Sequence, residues 1–335
     1  MTTAAINGLG RIGRATLKVL LDNDHLRITA VNDLVPVDNL AYLLRYDSVY
    51  GRYAKPVSVD GDTLVVDGQP IRVYARRDPG ALPWAELGVE LVFECTGVFR
   101  READLAEHLA AGARFVVLAA PARTETIATV VPGANRAEAG QRIVSCASCT
   151  TNCITAVVEV LHRRIGVERA VMTTVHAYTS SQQVIDGPSA DFRRGRAAAV
   201  NMLPASTGAA LATTRALPDL AGRFDGMALR IPVPVGSIAD ITLVSARPTT
   251  VDEVNSVLRE EAGTERYRGI LGVVDDPIVS TDIIGDPRAS VVDAAMTRVV
   301  DGTLVKVMSW YDNEWGFTHQ MVREALTLLG VDAEV

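Results

Sequence analysis

The chain has 335 residues, of which 48% are apolar, with 26 Gly, 15 Pro and a formal net charge of −7. This excludes a disordered or low-complexity chain, and the acidic balance argues against nucleic acid or an anionic membrane as the partner. The length suits two domains of ordinary size. The uncharged stretch 197–214 contains Asn201, Pro204 and several hydroxyl residues, so it is too polar for a membrane span. The start of the chain has neither a basic segment nor an apolar leader, and the expectation is a cytoplasmic protein.

In chain order, the apolar run Ala4–Ile6 leads into Gly8-Leu9-Gly10-Arg11-Ile12-Gly13 and then an amphipathic segment through Leu21. A second apolar run, Ile28–Val31, ends at Asn32 and Asp33, and Asp33 lies 20 residues after Gly13. Strand, glycine turn, helix, strand and acid in this order form a dinucleotide-binding pattern. Gly8 allows the tight turn, Gly10 lets a pyrophosphate approach, and Gly13 brings helix and strand together. The helix start offers free N–H groups to phosphate. Asp33 can accept from ribose hydroxyls and would repel a 2′-phosphate, which favours NAD over NADP.

Further strands are expected at Leu91–Cys95 and Phe115–Leu118, with a helix over Arg101–Ala111 stopped by Gly112. The alternation implies a mostly parallel sheet covered by helices. Thr96-Gly97 and Ala119-Ala120-Pro121 stand at strand ends, and read locally they are either cofactor contacts or ordinary turns.

Three of the four cysteines, Cys146, Cys149 and Cys153, cluster after the strand signal Ile143-Val144. No further Cys or His pair stands at ligand spacing, so no metal is expected. Ile154, Val157, Val158 and Leu161 mark an amphipathic helix, and Ser148 is a suitable N-cap. Cys149 then occupies the first turn, where the helix dipole favours a thiolate and is expected to lower the thiol pKa. Position alone does not separate a nucleophile from a small buried residue there. Cys146 and Cys153 read as buried apolar residues.

The β-branched run Val171–Val175 reads as a strand ending in His176-Ala177-Tyr178-Thr179. His25, His108, His162 and His319 receive no role. Arg193-Arg194-Gly195-Arg196 and Pro204-Ala205-Ser206-Thr207-Gly208 together offer guanidinium forks, hydroxyls and glycine N–H groups suited to phosphate.

At Ser148-Cys149-Thr150-Thr151-Asn152-Cys153 the sequence resembles the phosphorylating glyceraldehyde-3-phosphate dehydrogenases. Asn7–Arg14, Asn32-Asp33-Leu34, Arg45–Ser48, Arg77-Asp78-Pro79, Thr174–Thr179, Arg193–Ala199, Thr207–Ala210 and Trp310–Gly316 extend the likeness over essentially the whole chain. The resemblance implies an α/β protein. Its Rossmann-type, doubly wound parallel sheet domain would cover 1–148, completed by a C-terminal helix over 314–335. An α+β catalytic domain with a mixed sheet would cover 149–313.

The resemblance further implies Cys149 as nucleophile and His176 as its partner. Gly8, Gly10, Arg11, Ile12, Gly13, Asp33, Arg77, Thr96, Ala119 and Asn313 would serve NAD. Ser148, Thr150, Arg194, Thr207 and Gly208 would take inorganic phosphate, and Thr179 and Arg230 the phosphate of glyceraldehyde 3-phosphate. It implies a homotetramer. Departures from the family pattern are Cys146, Ser181, Ala119 and Val235-Gly236, none at the nucleophile or its base. Gly187-Pro188 keeps a proline found in NAD-using members. A Cys/His hydrolase would leave Gly8–Asp33 without purpose. The erythrose-4-phosphate dehydrogenase branch is the nearer rival, and Ser206-Thr207-Gly208 looks more like the glyceraldehyde branch.

Overall fold

The computed structural model describes residues 1–331 and divides into two compact units. The first contains 1–130, 137–147 and the chain from Met321 on; the second contains 131–136 and 148–320. The C-terminal helix expected over 314–335 runs from Trp315 to Leu328, and 332–335 lie outside the described residues. Among the described residues no helix is long and apolar enough to cross a membrane.

The first unit is built on nine strands. They are β1 (Thr2–Asn7), β2 (Leu26–Asn32), β3 (Val57–Asp60), β4 (Thr63–Val66), β5 (Gln69–Tyr74), β6 (Leu91–Glu94), β7 (Phe115–Leu118), β8 (Ala128–Thr129) and β9 (Ile143–Ser145). Their spatial order is β8-β9-β7-β6-β1-β2-β5-β4-β3. Every pair from β8 to β5 is parallel, and only β4 and β3 add antiparallel edges. All four residues of β6 are buried, as a strand covered on both faces requires. Helices α1 (Arg11–Leu20), α2 (Val37–Arg45) and α3 (Glu102–Ala110) belong to this unit.

Under the ends of β1 and β6 lies a buried polar network. Trp84 Nε1 donates to His108 Nδ1 at 3.1 Å, so the ring proton is on Nε2, 3.1 Å from Glu94 Oε2. Asn7 Nδ2 donates to the same oxygen at 2.6 Å, and Thr96 N–H donates to Glu94 Oε1 at 2.8 Å. His108, given no role from its helical surroundings, therefore pins the turn after β6.

The second unit carries a seven-stranded mixed sheet. Its strands are β10 (Val167–Ala177), β11 (Leu203–Ser206), β12 (Phe224–Ile231), β13 (Ser237–Ser245), β14 (Leu271–Val274), β15 (Ser290–Val300) and β16 (Leu304–Tyr311). The order is β11-β12-β10-β13-β16-β15-β14, with β10–β12 and β14–β15 parallel and the rest antiparallel. One face packs on α4 (Cys149–Arg164), α5 (Ala209–Ala216) and α6 (Val251–Ala262). Ile154, Val157, Val158 and Leu161 of α4 join Ile241, Leu243, Leu258 and Val307 in that core. Along β13 buried and half-buried residues alternate, the period expected of a strand with one covered face. The α/β class, with a Rossmann-type parallel sheet and a second, mixed sheet, is as expected.

Candidate active site

Ser148 caps α4: its Oγ accepts from Thr151 N–H at 3.1 Å. Cys149 therefore opens the helix, and its Sγ lies 3.4 Å from His176 Nε2. His176 is the penultimate residue of β10, and the parallel pairing with β12 sets it opposite Arg230. Arg230 Nη1 is 2.5 Å from His176 Nδ1 and 2.9 Å from the Ala177 carbonyl oxygen. A guanidinium can only donate, so Nδ1 accepts here and the ring proton sits on Nε2, facing the sulfur. The Ala177 oxygen is also 2.7 Å from Nδ1, so with Arg230 turned away the proton can move to that nitrogen.

Tyr311, the last residue of β16, ties these parts together. Its hydroxyl is 2.8 Å from Thr150 Oγ1 and 2.7 Å from Thr174 Oγ1, and its ring stands edge-on to His176. It links the first turn of α4 to the strand that carries the histidine. The reading of the sequence missed it, since nothing local in Trp310-Tyr311-Asp312 marks a contact with residue 150.

Burial pushes the Cys149 thiol above its ordinary value, against the charge of Arg230 and hydrogen bonds from Thr150. Burial, followed by Arg230, lowers His176 to about 3. Desolvation thus opposes the lowering expected from the helix terminus and exceeds the effect of the nearby cation. Each group is thus costly to charge alone. Charged together, in the tautomer whose Nε2 is free to take the thiol proton, they would attract by about 5 kcal/mol across 3.4 Å at an effective dielectric near 20.

Cys146 and Cys153 are buried, and burial raises both thiols, Cys153 to about 12. The Cys153 sulfur faces Ser290 Oγ at 3.6 Å. Both fit the reading as inert packing residues.

Of the residues expected at phosphate sites, Thr179 Oγ1 is 2.8 Å from Ser181 Oγ, and Arg194 Nη1 donates to that Ser181 oxygen at 2.7 Å. Arg194 is thus bonded on the Thr179 side, and its Nε pairs with Asp191 at 3.3 Å. The Thr207 hydroxyl accepts from Ala209 N–H at 3.2 Å, at the start of α5, beside Gly208. The Thr150 side chain is buried with its hydroxyl turned to Tyr311. Arg194 adds to the burial that depresses the pKa of Arg230, and the buried Arg230 Nε has no partner among the described residues. Two guanidinium groups in range of each other, one with an idle donor, suit an anion.

The glycine turn of the first unit fits a dinucleotide. Gly8 has φ +91°, and a Cβ on Gly13 would lie 1.9 Å from the Gly8 oxygen. Gly10 is the N-cap of α1, makes no side-chain cap, and has open space around its Cβ position. The first-turn N–H groups are therefore left for a ligand. Asp33 Oδ2 accepts from Leu9 N–H at 2.7 Å and Oδ1 from Val35 N–H at 3.0 Å, which holds the carboxylate at the turn. Arg11 and Ile12 begin α1, with Arg11 paired to Asp47. Ala119 N–H continues the sheet to the Glu94 oxygen, and Arg77 is exposed. Asn313 follows β16 in the second unit.

Residues 148–313 match the family described as glyceraldehyde 3-phosphate dehydrogenase, C-terminal domain, and residues 2–102 match its NAD binding domain. The chain is 46% identical over 321 residues, 95% of each chain, to glyceraldehyde-3-phosphate dehydrogenase 2 of Streptomyces avermitilis. It belongs to the glyceraldehyde 3-phosphate dehydrogenase family. Identity is 47% over 320 residues to glyceraldehyde-3-phosphate dehydrogenase 1 of Bacillus subtilis, again over 95% of each chain. It is 45% over 325 residues, 96% of each chain, to glyceraldehyde-3-phosphate dehydrogenase of Zymomonas mobilis. NAD is the cofactor of this member of the dehydrogenase family.

Proposed function

We propose that the chain is an NAD-dependent glyceraldehyde-3-phosphate dehydrogenase that converts D-glyceraldehyde 3-phosphate and inorganic phosphate to 1,3-bisphosphoglycerate. The observation that carries this reading is the 3.4 Å approach of Cys149 Sγ to His176 Nε2 at the start of α4, in a chain of this family. NAD, when bound, supplies the hydride acceptor. Gly8, Gly10, Arg11, Ile12, Gly13 and Asp33 would hold its adenosine and pyrophosphate, Arg77, Thr96 and Ala119 would line it, and Asn313 would take the carboxamide.

Cys149 gives up its proton to His176 Nε2, once that nitrogen is free to accept, and the thiolate attacks the aldehyde carbon; His176 returns the proton to the carbonyl oxygen, which leaves a C–S bond and a thiohemiacetal. Neutral again, His176 takes the hydroxyl proton as hydride leaves the carbon and the thioester forms. A phosphate oxygen attacks the thioester carbonyl, the C–S bond breaks, and Cys149 leaves as thiolate. Sulfur suits both steps because it is a good nucleophile and a good leaving group. Thr179 and Arg230 would bind the substrate's phosphate, with Ser148, Thr150, Arg194, Thr207 and Gly208 serving inorganic phosphate.

The domain reading follows: 1–148 with the C-terminal helix for NAD, 149–313 for catalysis. A homotetramer in the cytoplasm completes it. Val184, Ile185, Phe192, Val200 and Met202 are exposed apolar residues of one segment, which supports burial against another copy. The test is a steady-state assay of NAD reduction with glyceraldehyde 3-phosphate, with and without inorganic phosphate. Sustained turnover that needs phosphate is expected. Phosphate-independent turnover, or none, would overturn the reading.

A further inference from the structure

We infer that Ser237 is a positioning residue that fixes which end of the Asn313 amide faces the cofactor. The inference rests on the proposed role of Asn313 toward the NAD carboxamide. Ser237 opens β13 and is buried. Its Oγ accepts from Ala177 N–H at 3.1 Å, and Ala177 is the residue after His176. With a lone pair taken by a backbone donor, the hydroxyl proton is free to point to Asn313 Oδ1, 3.1 Å away. Gly236 N–H donates to the same oxygen at 3.2 Å.

Two donors on one side of an amide leave no ambiguity about its orientation. Oδ1 is held inward and Nδ2, with no partner among the described residues, faces out as a donor. The turn that delivers the second donor is specific to glycine. Gly236 has φ +92°, and a Cβ there would meet the Ser280 carbonyl oxygen at 2.3 Å. The same hydroxyl thus ties the strand bearing His176 to the amide that would orient the ring.

A fixed outward donor selects a ligand carbonyl oxygen. A flipped amide would present an oxygen instead. Nicotinamide can answer that oxygen by turning its own NH2 toward it, whereas an acetyl group cannot. Removing the Ser237 hydroxyl should therefore harm an acetylpyridine dinucleotide more than NAD itself.

The experiment titrates cofactor-free wild type, Ser237→Ala and Ser245→Ala with NAD and with its 3-acetylpyridine analogue, following tryptophan fluorescence without aldehyde. Ser245 is the control: it is buried at the far end of β13, and its hydroxyl donates to the Arg247 carbonyl oxygen at 2.7 Å. Thermal melts check that each variant is folded; should Ser237→Ala not fold, Ser237→Cys takes its place. Ser237→Ala is expected to bind NAD about tenfold more weakly, the scale of one hydrogen bond, and the analogue more weakly still. Ser245→Ala should bind both like wild type. An unchanged NAD-to-analogue ratio in the folded Ser237 variant, or an equal change in Ser245→Ala, overturns the inference. Failure of the wild type to bind NAD at all would instead overturn the function on which it rests.

Discussion

Arg230 and His176 face each other across neighbouring parallel strands, and the guanidinium lies 2.5 Å from the imidazole nitrogen that points away from the sulfur. In this arrangement Arg230 adds to the burial that lowers the histidine pKa, and it keeps the ring proton on the sulfur side. An anionic phosphate that drew Arg230 away would release Nδ1 to the Ala177 carbonyl and free Nε2 to accept. Arg230→Leu should raise the His176 pKa from about 3 and weaken use of the phosphorylated aldehyde. One lost charged hydrogen bond, at 1.5–3 kcal/mol, corresponds to about 10–100-fold in kcat/KM. Unphosphorylated glyceraldehyde should be far less affected, and comparing kcat/KM for the two aldehydes checks this. Equal loss for both would place Arg230 outside phosphate recognition.

The nucleophile is tested by Cys149→Ala, which should abolish turnover while NAD binding persists. Mass mapping after brief alkylation should find Cys149 labelled before Cys146 or Cys153, since only Cys149 has an imidazole beside it and is not fully covered. An active Cys149→Ala enzyme would refute the assignment.

His176→Asn removes the group that shares the thiol proton. The pH midpoint of Cys149 alkylation should move up, because burial already raises the thiol and the variant loses the stabilising partner. The turnover rate should fall by about 10²–10⁴. A pH profile identical to that of wild type would exclude His176 from the site.

Asp33 reads the ribose in our account. At an effective dielectric near 20 a 2′-phosphate about 4 Å from the carboxylate is repelled by about 4 kcal/mol, less in solvent. Wild type should prefer NAD by roughly one to a few decades in kcat/KM, at about 1.4 kcal/mol each. Asp33→Gly should erode the preference by weakening NAD, partly because Leu9 N–H and Val35 N–H lose their acceptor. A cofactor ratio untouched by the substitution would rule out this role.

Glu261 on α6 accepts from Arg163 and Arg164 on α4, which holds its carboxyl at about 2. A depressed carboxylate stabilises the fold above its unfolded pKa and loses that contribution as pH falls toward the folded value. Glu261→Gln should therefore destabilise the protein at pH 7, by about 1–3 kcal/mol, the scale of charged hydrogen bonds. The difference from wild type should shrink between about pH 4.5 and 2, as denaturant melts across that range would register.

The local elements were legible because their causes are contiguous. Ser148 and the 3.6-residue spacing of Ile154, Val157, Val158 and Leu161 specify a helix that starts at Cys149, whatever surrounds it. Gly8, Gly13 and Asp33 likewise encode a turn, a close contact and an acceptor within one strand–helix–strand unit. The charge state of the site was not legible, since it depends on how much solvent the rest of the chain removes from Cys149 and His176. Strand order was decisive too: only the parallel pairing of β10 with β12 sets Arg230 beside His176, and only the end of β16 brings Tyr311 to Thr150. Sequence by itself determined which chemical groups this protein owns and the local structure that carries them. Tertiary structure decided which of them meet, because hydrogen bonds and desolvation act through distances of a few ångströms between residues far apart in the chain.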